Sequence, residues 1–348
     1  MKKKLSLLLV LVMIFTLALT GCGGGGDEGG TDADVVTWKI AHQETTGTVY
    51  DLWANHFADL IEEKSEGRIQ VDVYPVGTLG DTGSQVETLM NGGIQFGIFA
   101  SGDVGDIFPA VQALSLNYVF SDSDDVNAQV LREGEATKAL DEMFITKGLR
   151  TYDWFTLGNM QWGTTKAVRS LDDMSGLKMR IMASPIIAAN YEALGAAPTP
   201  VAFTETYSAL QLKTVEGTEQ PMNAMEEMKF YEVVDYITMS NHAQMASFVS
   251  INDAFYEGLS DEDKAMLEEI KPEMADYALA TLKEVIEAKT ATILENKPEL
   301  EIIELTDEQR QAFVDASAPV RDRIEEFGGA EAKTILDLVL ADVEKFDK

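Results

Sequence analysis

The sequence predicts an α/β protein built from two units, and three observations predict it. Strand-like and helix-like periodicities alternate from residue 36, the alternation starts afresh near Gly158, and a strand candidate at 246–253 fits neither run in simple order. Such a rhythm builds mainly parallel sheets, because two parallel strands need a crossover, usually a helix, between them. A length of 348 residues agrees with two domains.

The chain opens on "MKKKLSLLLVLVMIFTLALTGCGGGG", in which Lys2, Lys3 and Lys4 precede an apolar run from Leu5 to Leu19. This is the pattern of an export signal, residues 1–21, which is excluded from the fold. The run falls short of the ~20 residues that a membrane span requires. Its end, Leu19-Thr20-Gly21-Cys22, resembles a lipobox, in which the peptide is cut just before a lipid-modified cysteine. Cys22 is therefore the expected lipid attachment site, holding the protein at a membrane surface outside the cytoplasm. It is also the single cysteine of the chain, so no disulfide, zinc–thiolate site or catalytic thiol is predicted. Residues 22–34, rich in Gly and Asp, read as a flexible tether.

The folded body then follows in order. "VVTWKIAH" (35–42) is a strand, and 50–64 a helix with Trp53, Phe57, Leu60 and Ile61 at helical spacing. "RIQVDVYP" puts Ile69, Val71 and Val73 on one face and stops at Pro75. A helix at 84–90 leads to the apolar strand "IQFGIFAS" (94–101). The second unit places strands at "LKMRIM" (177–182) and "TVEGTEQ" (214–220) with helices at 185–194 and 205–212. Ser260-Asp261-Glu262-Asp263 and Thr306-Asp307-Glu308-Gln309 have the form of capping boxes. Between them Tyr277, Leu282, Ile286 and Ile293 mark a helix over 274–296, which at 1.5 Å per residue is about 35 Å long and reaches across two small lobes.

Composition excludes several functions. With 59 acidic against 27 basic residues and a net charge of −32, nothing here neutralises a phosphate backbone, so nucleic acid is not a predicted partner. The three histidines, His42, His56 and His242, have no zinc spacing. Nucleophile elbow and phosphate loop are both missing, so neither catalytic residues, metal nor cofactor is predicted. "SDSDD" (121–125) half-matches a calcium loop, with Asn127 where glycine belongs and Glu133 at the last position; it reads as an acidic helix start. Arg180 stands apart. In "LKMRIM", Met179 and Ile181 share one face and Lys178 and Arg180 the other, and the strand ends at Ala183-Ser184-Pro185. Ligands of open α/β sheets sit at such carboxyl ends, and a guanidinium offers forked donors that match a carboxylate. The residues alone favour the plainer alternative, an exposed arginine paired with one of many acids.

The stretch that follows decides otherwise. Gly176-Leu177-Lys178-Met179-Arg180, Leu194-Gly195-Ala196, Pro198-Thr199-Pro200, Glu205, Tyr207, Ala209-Leu210-Gln211, Val215-Glu216-Gly217, Glu219 and Pro221 fall in register with a known signature. They resemble the solute-binding proteins of tripartite ATP-independent periplasmic (TRAP) transporters, the dicarboxylate-binding-protein-like family. The resemblance covers nearly all of the body. It implies a two-lobed periplasmic-binding-protein-like α/β fold with a long helix bridging both lobes. It further implies closure on an organic acid, no enzymatic activity, and delivery to a sodium-coupled permease. The implied lobes are 35–157 with 246–285, and 158–245 with 286–348.

Residues carry over singly. Arg180 matches the arginine that grips the ligand carboxylate, and Phe203 the wall beside it. Gln220 stands where many members have Asn. Gln43 and Glu44, after the first strand, and Ala100, within Phe99–Ser101, match cleft positions. Where sialic-acid and dicarboxylate binders resemble "GFR", this chain has Gly158-Asn159-Met160, flanked by Trp154 and Trp162. The second cation is absent and Met160 offers an apolar surface, so the expected ligand is a monocarboxylate with an apolar or cyclic body; the flanking rings are more often core than ligand wall, and Trp162 is the candidate wall. The alternatives are a compact dicarboxylate or sugar acid, an exported enzyme on the same scaffold, and a ligand-sensing partner of a membrane receptor.

Overall fold

The computed structural model describes residues 35–348; the predicted export signal, Cys22 and the tether lie outside them. Eleven strands are described: β1 (Val36–His42), β2 (Ile69–Tyr74), β3 (Phe96–Ala100), β4 (Leu149–Asn159), β5 (Gln161–Thr164), β6 (Lys178–Ile181), β7 (Ala197–Pro200), β8 (Gly217–Gln220), β9 (Tyr236–Met239), β10 (Gln244–Asn252) and β11 (Glu301–Glu304). They form two sheets, ordered β2-β1-β3-β10-β4 in the first lobe and β11-β9-β5-β8-β6-β7 in the second. The alternation of the sequence did not reveal β4, β5, β7, β9 or β11, which are buried on both faces, proline-containing or short.

Each sheet is parallel except for one strand. β10 runs antiparallel to β3 and β4, and β5 antiparallel to β8 and β9. The mainly parallel expectation needs that correction, and the chain path explains it. β4 leaves the first sheet and continues through Met160 as β5 of the second, while β9 leaves the second and returns as β10 of the first. A strand that arrives from the other lobe begins at the cleft, where its neighbours end, so it must run against them.

The bridging helix is longer than predicted. It spans Asp261–Asn296, 36 residues or about 54 Å, starts where the Ser260 Oγ accepts from the Asp263 N–H at 3.1 Å, and passes through Pro272. The proline forfeits one backbone hydrogen bond, but Met266, Leu267, Ile270 and Met274 keep one buried stripe across it, and that burial outweighs a single bond. Leu282 still belongs to the first-lobe core, Ile293 to that of the second, and Ile286 packs against both. The first core is aromatic, with Trp53 stacked between Phe57 and Phe155 at centroid distances of 5.4 and 6.2 Å.

The last helix, Ile324–Phe346, was expected with the second lobe. It packs instead on the turn Pro109–Ser115 and on the helices Asp124–Glu133 and Glu135–Ile145, burying Ile335, Leu336 and Val339. Gly328 makes the approach possible, since a Cβ there would lie 2.5 Å from the Pro109 carbonyl oxygen. The acidic stretch at 121–125 serves as a helix start, Ser123 capping Asp124–Glu133.

Candidate functional site

Arg180 is the third residue of β6, a strand flanked by β7 and β8. It is 2 % exposed, not the surface residue that an abundance of acids would suggest. Its Nε donates to the Val201 carbonyl at 2.9 Å, while its Nη1, also buried, meets no partner among the described residues. Its Cζ lies 5.9 Å from the Phe203 ring centroid. Phe203 is half-buried in the turn Phe203–Glu205 and edge-on to Phe230 at 5.8 Å. Burial works against the guanidinium charge, and the carboxylates of Asp103 and Glu219 act to hold it. One donor is thus spent on aiming the group, and others stay free for an anion.

The register decides which predicted neighbours share a face with Arg180. Arg180 lies opposite Thr218, so Gln220, two residues on, projects from the same face of the sheet. Trp162 is paired with Glu219 and therefore points to the other face. There it is fully buried, stacked on His242 and edge-on to Phe313, each at 4.9 Å. The expectation that Trp162 walls the same site gives way to a core position, set by the period-2 alternation of the strand.

Met160 lies at the hinge between β4 and β5, and Ala100 at the end of β3. The Met160 N–H donates to the Ala243 carbonyl at 2.8 Å, tying the two lobe crossings together. Both residues line a cavity of ≈ 20 Å³ with Met182, Asn190, Glu219 and Gln244, room for a single water-sized molecule. Gln43 is spent within its own lobe, donating to the Gln85 side chain and accepting from the Thr82 hydroxyl, so it braces the loop. Glu44 is buried, and its Oε2 accepts from the Tyr50 N–H at 3.0 Å. Burial pushes its carboxyl up to about 7.

Several groups at the cleft escaped sequence reasoning. Glu219 Oε2 accepts from the Tyr191 hydroxyl at 2.8 Å and lies 2.9 Å from His242 Nε2, whose Nδ1 is 2.8 Å from the Ser240 hydroxyl. This chain runs behind the strand that carries Gln220. Asp103, in the turn after β3, lies within electrostatic reach of Arg180 across the cleft. Glu227 and the wholly buried Asn223 stand on the helix Met222–Glu227. The signal available was the acids and amides of "GTEQP" and "MNAMEE", but no periodicity links positions that only folding brings together. His42, by contrast, is structural: buried beside Asp51 at 3.4 Å, it is held down to about 4 by burial, and so is neutral.

The lobes touch across the cleft, for a Cβ on Gly102 of the first would come within 2.7 Å of Met182 Cε in the second. Among the described residues no helix is long and apolar enough to cross a membrane, and no group of three or more His, Cys, Asp or Glu could hold a metal ion.

Comparison with known proteins identifies the family. The model of the family described as "Bacterial extracellular solute-binding protein, family 7" matches residues 40–326. The chain is 32 % identical over 333 residues to the ectoine/5-hydroxyectoine-binding periplasmic protein UehA of Ruegeria pomeroyi, covering 94 % of this chain and 97 % of that one. It is similar in structure to the periplasmic ectoine-binding protein of the TeaABC TRAP transporter of Halomonas elongata. That likeness has a TM-score of 0.85 and 29 % identity, over 89 % of this chain and 99 % of that one. A TRAP periplasmic solute-binding protein from Shewanella oneidensis with bound succinate has a TM-score of 0.81 and 28 % identity, over 89 % and 99 %. These proteins are solute-binding components of transporters and not enzymes. With matches that span nearly the whole described body, the chain belongs to the family 7 bacterial extracellular solute-binding proteins, which serve TRAP transporters.

Proposed function

We propose that this protein captures a monocarboxylate with an apolar or cyclic body between its lobes and hands it to a sodium-coupled permease. The observation that carries the reading is Arg180, buried, aimed by Val201 and left with an unspent Nη1 beside the Phe203 ring. A carboxylate takes the free donors of the guanidinium, the ligand body lies along Phe203, and Gln220 donates to or accepts from its polar edge. The open lobes admit the solute, and closure expels water, which strengthens the ion pair. The closed form docks on the permease, so the ligand shifts a population and undergoes no chemistry. Relatives named for ectoine, a cyclic monocarboxylate, support this choice, while others of similar identity are named for C4-dicarboxylates, so the choice rests on the missing second cation at Met160. Export and lipidation at Cys22 would keep the protein at the membrane beside that permease; Cys22→Ser would then release it from the membrane fraction.

Mass spectrometry of whatever co-purifies identifies the solute, and calorimetry tests the clamp. Arg180→Lys keeps the charge but loses the fork, so affinity falls at least about tenfold, or ~1.4 kcal/mol, with the circular dichroism spectrum intact. Unchanged affinity, or tight binding of succinate or malate with none of monocarboxylates, refutes the reading.

A further inference from the structure

We propose that Glu44 and Glu227, one from each lobe, form with Asn223 a second subsite that takes the positively charged end of a zwitterionic solute. This rests on the reading of Arg180 as the carboxylate clamp and narrows the ligand to an acid that also carries an ammonium or amidinium group.

The placement is geometric. Glu44 enters from the loop after β1, buried, with Oε2 held by the Tyr50 N–H. Glu227 closes the short helix that follows Gln220. Asn223 and Glu227 are four residues apart and so share one helix face. Asn223 is 0 % exposed, and neither its amide oxygen nor its nitrogen has a partner among the described residues; the buried Glu227 Oε1 has none either. Unsatisfied groups of this kind are costly inside a protein. Two acids and an idle amide carbonyl together make a set of acceptors.

Among the described residues no cation forms an ion pair with either acid. Lys289 pulls Glu227 down by its charge, but its ammonium donates to Glu226 at 2.7 Å. His42 is neutral, and the other groups facing the acids, Asp51, Tyr50 and Glu226, add no positive charge. Burial, and then the charge of Glu44, push Glu227 up to about 9, as burial lifts Glu44 to about 7. Closing without ligand therefore favours protonated acids. A bound cation favours the carboxylates, so protons leave for solvent as the solute enters. The subsite shares its cleft with the clamp: Asp103 is within electrostatic reach of Arg180 and of Tyr50, and Tyr50 of Glu44 and Glu227.

The test compares size-matched acids by calorimetry on the full mature chain: ectoine against cyclohexanecarboxylate, and proline against cyclopentanecarboxylate. The titrations run at pH 6 and 8 and in two buffers of different ionisation heat. In at least one pair the zwitterion binds at least about a hundredfold more tightly, with net proton release near pH 7 and affinity rising from pH 6 to 8. Glu227→Gln and Asn223→Ala each narrow that preference at least about tenfold. If in neither pair the zwitterion binds more tightly, or if Glu227→Gln leaves the preference intact, the subsite is overturned. Arg180→Lys separates the two readings. When it abolishes binding while Glu227→Gln changes nothing, the clamp stands and the subsite falls; when it changes nothing, the clamp itself falls.

Discussion

Arg180 shows what burial does to a residue whose type alone is ambiguous. An exposed arginine among acids makes surface pairs worth ~1 kcal/mol or less; a buried one with a free Nη1 keeps binding capacity. Asp153 illustrates the opposite sign, a buried charge that only costs. Its Oδ1 takes the Trp154 N–H, its Oδ2 meets no partner among the described residues, and burial pushes it up to about 7 against the pull of Lys271 and Arg132. A carboxyl raised above its unfolded value holds its proton longer in the native state. It therefore erodes stability as pH climbs from about 4 to 7. Asp153→Asn removes that loss, so urea denaturation should find the variant more stable than the parent at pH 8 and much closer to it at pH 5. An equal difference at both pH values would reject this.

At the scale of elements, the crossing strands act as the hinge. Gly158, near the end of β4, has φ of 95°, and a Cβ on it would meet Ile286 Cδ1 at 3.0 Å. That isoleucine packs against both lobe cores. Gly158→Ala therefore combines left-handed backbone strain with a close contact, and a loss of about 1–2 kcal/mol follows; chemical denaturation measures it. The period-2 pattern of β8 divides labour in the same way, sending Gln220 to the face of Arg180 and Glu219 to that of Trp162 and His242.

For the whole molecule, closure is the functional motion, and Gly102 is where it meets resistance. A side chain there would press on Met182 Cε at 2.7 Å and Ile187 Cδ1 at 3.2 Å. Gly102→Val should wedge the lobes apart. The expected result is a larger radius of gyration by small-angle scattering with ligand present and an affinity at least about tenfold weaker, while ligand-free melting barely changes. Unaltered scattering and affinity would show that the lobes close elsewhere. The net charge of −32 also acts at this scale, repelling a plain anion at long range while leaving a zwitterion nearly unaffected.

Much of this was written locally. Alternating periodicities predicted β1, β2, β3, β6, β8 and β10 and the capped helices, because a strand or helix announces its buried face through its own spacing. The signature around Arg180 disclosed the family, since it lies within one continuous stretch. Folding alone decided the rest. The reversed strands follow from crossings between lobes, the helix through Pro272 from burial that outweighs a lost bond, and the position of Trp162 from its register with Glu219. The last helix sits where Gly328 lets it approach Pro109. Glu44, Asn223 and Glu227 are more than a hundred and seventy residues apart in the chain at their widest. Sequence spacing carries no information about such a meeting, because the packing of the two lobes sets it.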